Sequence, residues 1–324
     1  MIHNGEALAI LRTMESCSVD CCVTSPPYFG LRDYGSAEQI GVESSVEEYI
    51  ERLVEIFREV RRVLKDDGTL WLNLGDSYAG SRKGRKADGS RGIAGDKQST
   101  NRGASDGRIP VMQTAPCKQK DLIGVPWMVA FALRADGWYL RSDIVWEKPN
   151  AMPESVKDRP TRCHEYIFLL AKSKRYHYDA DAIKEPAIQG DPARPRGSKG
   201  NSKLNGGLRK RDAQGISRYK GFNGRYFSKP PVQKRNKRDV WRVSVKPYKG
   251  AHFATFPPDL IEPCILAGAP VGGVVLDPFA GSGTTGMVAQ RNGREFVGIE
   301  INANYCEMAR EREAAGRAVR EMSQ

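Results

Sequence analysis

Two consecutive prolines, Pro26-Pro27, close a short apolar run from Val19 to Val23. Each proline lacks an amide donor and fixes φ, so the strand cannot run on into a helix. It opens instead, stiff and extended, into the loop Phe29-Gly30-Leu31. The Ser25 hydroxyl, the Pro26 carbonyl and the Tyr28 ring are then confined to one small volume. Two acceptors and a flat face suit a planar ring that carries an exocyclic amine. An isolated Ser-Pro-Pro-Tyr is equally a plain turn, but a second stretch about 250 residues later changes its weight: Leu276-Asp277-Pro278-Phe279-Ala280-Gly281-Ser282-Gly283-Thr284-Thr285. There a strand ends in an acid and a glycine loop before a helix, an arrangement that brings backbone amides to a ligand. Glu300 follows 17 residues after Gly283, at the end of the next apolar run, where a carboxylate can accept from two ribose hydroxyls. The loop has neither the third glycine of a dinucleotide site nor the lysine of a phosphate-binding loop, which argues against a nicotinamide cofactor and against ATP.

Together the two stretches resemble the amino-group DNA methyltransferases that use S-adenosylmethionine, in the permuted (beta-type) subgroup whose catalytic motif precedes the cofactor loop. The resemblance covers roughly residues 1–80, 121–181 and 239–310. It implies that Ser25, Pro26, Pro27 and Tyr28 hold the target base. It implies further that Asp277, Phe279, Gly281, Gly283, Thr284, Thr285 and Glu300 surround the cofactor, with Phe253, Thr255 and Pro257 beside its methionine end. The family often has Gly-Asp at the turn after the first strand, where this chain has Gly5-Glu6, so Glu6 carries over only loosely. A serine at the head of the motif goes with cytosine N4 more often than with adenine N6 in that family. Cytosine N4 is therefore the favoured target and adenine N6 the alternative, and the subgroup includes homodimers.

The chemistry follows from the groups present. An exocyclic base amine is a poor nucleophile because its lone pair is delocalised into the ring. Hydrogen bonds from the amine to Ser25 Oγ and the Pro26 carbonyl favour a pyramidal nitrogen and free that pair, and the rest is positioning. No covalent enzyme intermediate is required. Methylation at cytosine carbon 5 needs a thiolate instead, and Pro-Cys occurs only at Pro116-Cys117 and Pro263-Cys264, away from either motif. A base inside a duplex must leave its stack to be reached, and Tyr28 is placed to stack on it.

Charge locates the nucleic acid. Residues 187–249 carry 18 Lys and Arg against three Asp, a net +15, whereas the rest of the chain carries 33 basic and 36 acidic residues. Basic residues at Arg209, Lys210, Arg211, Lys234, Arg235, Lys237 and Arg238 can neutralise phosphates of double-stranded DNA. Aromatics at Tyr219, Phe222, Tyr226, Phe227, Trp241 and Tyr248 can stack on unpaired bases. Two other readings compete. Methylases of RNA bases or of protein glutamine share Pro-Pro-Tyr, but their glycine loop normally comes first. A non-enzymatic nucleic-acid-binding protein would leave both motifs without a purpose.

Seven cysteines form no C-x-x-C pair, which argues against a disulfide scaffold and against a metal site. No basic-then-apolar leader or membrane-length apolar run is present, so the expected location is cytoplasmic. The expected fold is α/β, a Rossmann-like methyltransferase sheet, circularly permuted, with an inserted basic DNA-recognition region. Residues 1–186 form the catalytic half with a mobile loop at 79–120, 187–249 the insert, and 250–324 the cofactor half. Strands are expected at 2–5, 19–23, 69–74, 139–147, 165–171, 274–277 and 295–300. Helices are expected at 6–14, from Ser45 to Asp67, and at 126–135, 258–267 and 284–291, with a last one from Asn302. The strand Glu165–Ala171 is expected at the sheet edge, antiparallel, as the resemblance implies.

Overall fold

The computed structural model describes residues 1–30, 38–79, 117–118, 120–187, 233–246 and 256–322. The chain divides into two compact units, Met1–Ala182 with Arg238–Gln324, and Ile183–Lys237. The expected insert at 187–249 thus contributes its last described residues to the larger unit.

In the larger unit β1 (Ile2–Asn4) leads to α1 (Ala7–Thr13). Glu6 is the N-cap of α1, its carboxylate accepting the amides of Leu8 and Ala9 at 3.0 and 2.7 Å. After β2 (Val19–Thr24), Ser45 caps α2 (Val46–Val63) by accepting the Glu48 amide at 3.1 Å, the interaction its spacing predicts. Val46, Leu53, Phe57 and Val60 of α2 are buried on one stripe. The helix was expected to reach Asp67-Gly68 but stops at Val63. Leu64 takes extended backbone and pairs with Val19, so β3 (Leu64–Leu74) begins where a strand partner is available. Then come α3 (Val125–Ala135), β4 (Tyr139–Glu147) and β5 (His164–Ala171). The smaller unit holds the antiparallel pair β6 (Glu185–Pro186) and β7 (Lys234–Arg235). The larger unit resumes with β8 (Val240–Arg242), α4 (Pro258–Gly268), β9 (Val274–Asp277), α5 (Thr284–Arg291), β10 (Glu295–Glu300) and α6 (Ala303–Met322).

The sheet order is β1-β10-β9-β2-β3-β5-β4-β8, and every pairing is parallel except those of β5 with its two neighbours. The strand 165–171 is thus antiparallel as expected but interior. The edges belong to β1 and to β8, the latter paired with β4 through Val145↔Val240 and Trp146↔Trp241. This corrects the reading of Trp241 as a base-stacking residue. Its ring is buried and its Nε1 donates to the Arg238 carbonyl at 2.6 Å.

Helices α1, α2 and α3 pack in one row, and α4, α5 and α6 in another. All six residues of β2 are buried, as a central parallel strand covered on both faces requires. Register then aligns the strand ends. Cys22 lies beside Leu276 and Gly298 beside Asp277, while Thr24 lies beside Leu72. The Ser-Pro-Pro-Tyr loop and the glycine loop therefore leave adjacent strands at the same carboxyl edge, where open α/β sheets bind ligands. Among the described residues no helix is long and apolar enough to cross a membrane.

Candidate active site and cofactor loop

Asp277 ties the two loops together. Its carboxylate is buried and accepts Thr24 Oγ1 at 2.6 Å, Thr285 Oγ1 at 2.6 Å and the Phe279 amide at 3.1 Å. Thr24 immediately precedes Ser25, so one acid fixes the entry to the Ser-Pro-Pro-Tyr loop against the entry to α5. Burial pushes the Asp277 carboxyl up to about 6, and its three donors limit that rise by favouring the charged form.

The glycine loop is built around positive φ at Gly281 (51°) and Gly283 (78°). At Gly283 the backbone also runs against α6, and an added Cβ would come within 2.6 Å of Ala309 Cα. From the same helix Arg312 Nη1 reaches the Ser282 carbonyl at 3.1 Å, Ser282 Oγ at 2.7 Å and Thr284 Oγ1 at 3.0 Å. Glu300 closes the loop from β10, accepting the Gly281 amide through Oε2 and the Asn302 amide through Oε1, each at 2.8 Å. Burial holds its carboxyl above the ordinary range, although these amide bonds pull it down. A carboxylate oxygen bonded to one amide keeps capacity for a further donor. Gly283, the N-cap of α5, offers no side-chain capping bond, so first-turn amides of the helix can meet a ligand acceptor. An acid for vicinal hydroxyls and open amides for a carboxylate are a donor set that fits a nucleoside joined to an amino acid. Pro257, at the N-cap of α4, is buried and its carbonyl accepts the Leu260 amide at 3.0 Å. Phe253 and Thr255 lie outside the described residues.

In the Ser-Pro-Pro-Tyr loop Pro26 is buried, and the carbonyl of Pro27 accepts the Tyr49 hydroxyl at 2.9 Å, which anchors the second proline to α2. The Tyr28 ring lies so close over Gly75 that an added Cβ would sit 2.5 Å from Tyr28 Cε2. The phenol meets Glu165 Oε2 at 2.8 Å, Asn73 Oδ1 at 3.1 Å and Ser25 Oγ at 3.5 Å. Burial, and next the Glu165 charge, drive the Tyr28 phenol well above its usual range. Asn73, Gly75 and Glu165 were not anticipated from sequence. The signal was Asn73 alone in the apolar run Leu70 to Leu74, since a buried amide in a central strand needs partners.

Of the proposed nucleic-acid residues, Arg209, Lys210 and Arg211 lie outside the described residues. Lys234 is exposed on β7, whereas Arg235 pairs with Glu185 at 2.8 Å and is mostly buried. Lys237 is half-buried and Arg238 exposed. Among the described residues no cluster of three His, Cys, Asp or Glu could hold a metal ion.

A Ser-Pro-Pro-Tyr loop and a glycine loop, side by side at the carboxyl edge of one mostly parallel sheet, are the architecture of a Rossmann-like methyltransferase. The DNA methylase family model for N6/N4 methyltransferases matches residues 19–311. The type II methyltransferase M.Cfr9I of Citrobacter freundii is 48% identical over 310 residues, covering 95% of this chain and 85% of the relative. Two solved structures share the fold. PvuII DNA methyltransferase has a TM-score of 0.58 at 18% identity, over 99% of this chain and 91% of that one. TTHA0409 of Thermus thermophilus, complexed with S-adenosyl-L-methionine, has a TM-score of 0.56 at 23% identity, over 97% and 93%. The chain belongs to the DNA methylase family of N6/N4 amino-group methyltransferases.

Proposed function

We propose that this protein methylates the exocyclic amine of a base flipped out of duplex DNA, with cytosine N4 as the target rather than adenine N6. The observation that carries the reading is the Thr24–Asp277–Thr285 bridge, which joins the Ser-Pro-Pro-Tyr loop to the glycine loop through two hydrogen bonds of 2.6 Å. S-adenosylmethionine supplies an activated methyl group when bound. Glu300 and the open amides at the start of α5 hold that cofactor, and Asp277 and Arg312 keep the loop in shape. Ser25 Oγ and the Pro26 carbonyl accept from the target amine and free its lone pair, while Tyr28 covers the base. None of these groups forms a covalent bond to substrate.

The choice of cytosine is supported by Ser25 in place of an acid and by the protein of like fold that is named as cytosine-N4-specific, PvuII DNA methyltransferase. The basic segment 187–249, with Lys234, Lys237 and Arg238 among its exposed or half-buried cations, is the proposed recognition region for DNA. Nucleoside mass spectrometry of unmethylated plasmid DNA, after incubation with protein and S-adenosylmethionine, tests the proposal. N4-methylcytosine is the expected product. N6-methyladenine overturns the base assignment alone, and no methylated base overturns the DNA substrate.

A further inference from the structure

Beyond the residues that grip the base runs a line of polar side chains that base binding does not require. Ser25 Oγ lies 3.5 Å from the Tyr28 hydroxyl, which lies 2.8 Å from Glu165 Oε2. Asn73 Oδ1 also faces the phenol, at 3.1 Å. The phenol has one proton for two acceptors, and the charged one is nearer. Asn73 cannot turn its amide to help, because Nδ2 donates to the Tyr166 carbonyl at 3.0 Å and reaches Glu165 Oε2 at 3.3 Å. On the far side Lys148 Nζ closes on Glu165 Oε1 and rests 4.2 Å over the Trp146 ring. Both side chains of this pair are largely buried, 19% and 16% exposed. A buried ion pair is costly unless its geometry is close to ideal and its remaining capacity is used, so its position against the catalytic loop calls for a reason.

The reaction supplies one. An amine that has gained a methyl group carries one proton too many, and a serine hydroxyl can pass a proton on but cannot keep it. We propose that Glu165 receives the proton lost by the target amine, relayed through the hydroxyls of Ser25 and Tyr28, with Lys148 holding the carboxylate in line. The N–H bond breaks and its electron pair stays on nitrogen. The proton binds Ser25 Oγ as the serine proton passes to the Tyr28 oxygen and the tyrosine proton passes to Glu165 Oε2. Ser25 and Tyr28 end as neutral as they began, and the carboxyl, still partly open to water, then gives its proton to solvent. Glu165 acts through Tyr28 and is a positioning residue in that sense, since it never touches the base. The inference rests on the proposed reading of Ser25 as the amine acceptor.

Glu165→Gln keeps the size of the side chain and an acceptor for the phenol, and removes the base. Tyr28→Phe keeps the ring and breaks the path at its middle. Single-turnover methylation of duplex DNA, calorimetric affinity for S-adenosylmethionine and KM for DNA are measured on the full chain. Proton transfer by a positioned group is worth about 10²–10⁴-fold, and a relay through two hydroxyls belongs at the low end. Glu165→Gln is expected to slow methyl transfer about 100-fold with both affinities within about threefold of wild type. The double variant Tyr28→Phe/Glu165→Gln is expected to be no slower than the slower single, because both interrupt one path. A rate within threefold of wild type, a loss confined to KM, or losses that multiply in the double variant would overturn the relay. If Glu165→Gln does not fold, Tyr28→Phe decides alone, and an undiminished single-turnover rate sinks the proposal. Wild-type protein that methylates no base removes the underlying reading instead, which separates the two failures.

Discussion

Replacing Thr24 by valine removes one hydroxyl, keeps the side-chain shape and should expose how Asp277 joins the two loops. The carboxylate would lose one of two 2.6 Å hydroxyl donors in a site without solvent. A hydrogen bond to a charged acceptor contributes about 1.5–3 kcal/mol, and one to a neutral acceptor about 1 kcal/mol. Which value applies depends on pH, because burial has raised this acid from 3.8 to about 6. Folded Asp277 holds its proton at a higher pH than the unfolded chain does. Its protonation therefore adds roughly 3 kcal/mol to stability below the unfolded value, and that gain is lost as pH rises through about 6. Thr24→Val takes away a donor that favours the charged form, so it moves the carboxyl higher still. The expected cost is about 2–3 kcal/mol at pH 8, where the carboxylate is charged, and about 1 kcal/mol at pH 5, where it is mostly neutral. Urea unfolding of wild type and variant at both pH values measures this directly, with unchanged slopes confirming that only stability has shifted. A cost equal at the two pH values, or larger at pH 5, would refute the view that Thr24 stabilises an ionised Asp277.

Gly283→Ala puts a Cβ 2.6 Å from Ala309 Cα on a backbone at φ 78°, so it should destabilise the protein by about 2–4 kcal/mol and abolish calorimetric binding of S-adenosylmethionine. Thiol titration should find Cys17 and Cys163, both exposed, fast to react in native protein, and Cys21 and Cys22 silent until denaturant is added. Burial pushes the Cys21 thiol up to about 12, so almost none of the reactive thiolate exists at neutral pH, and rapid modification of Cys21 would contradict the packing of β2.

How much of this was legible before the fold was known can be judged residue by residue. Strands 139–147, 274–277 and 295–300 and helix 284–291 fall where apolar periodicity and the bounding glycines place them. Both loops were visible because proline and glycine impose backbone geometry wherever they stand. The end of α2 was misplaced by four residues, since the strand partner that captures Leu64 is Val19, remote in sequence. Strand β8 lay hidden in a basic segment: three residues carry no periodicity, and only the exposed edge of β4 gives them a reason to extend. Trp241 illustrates the same limit, because an aromatic in a basic run reads as a stacking group until its ring is seen to be buried.

Residue types and their spacing already carry the chemistry on offer: a rigid proline loop with a hydroxyl and a flat ring, a glycine loop with an acid one strand further on, and a cationic stretch apart from both. Those properties are local, carried by side-chain type and backbone restriction within a few residues. It takes the folded sheet to bring Thr24 to Asp277 across 253 positions of chain, and Tyr28 to Glu165 across 137. Such contacts arise from strand order and register, which place β2 between β9 and β3 and bring β5 up beside β3. Strand order is set by the burial of both sheet faces taken together, a sum over the whole core that no single stretch of sequence contains.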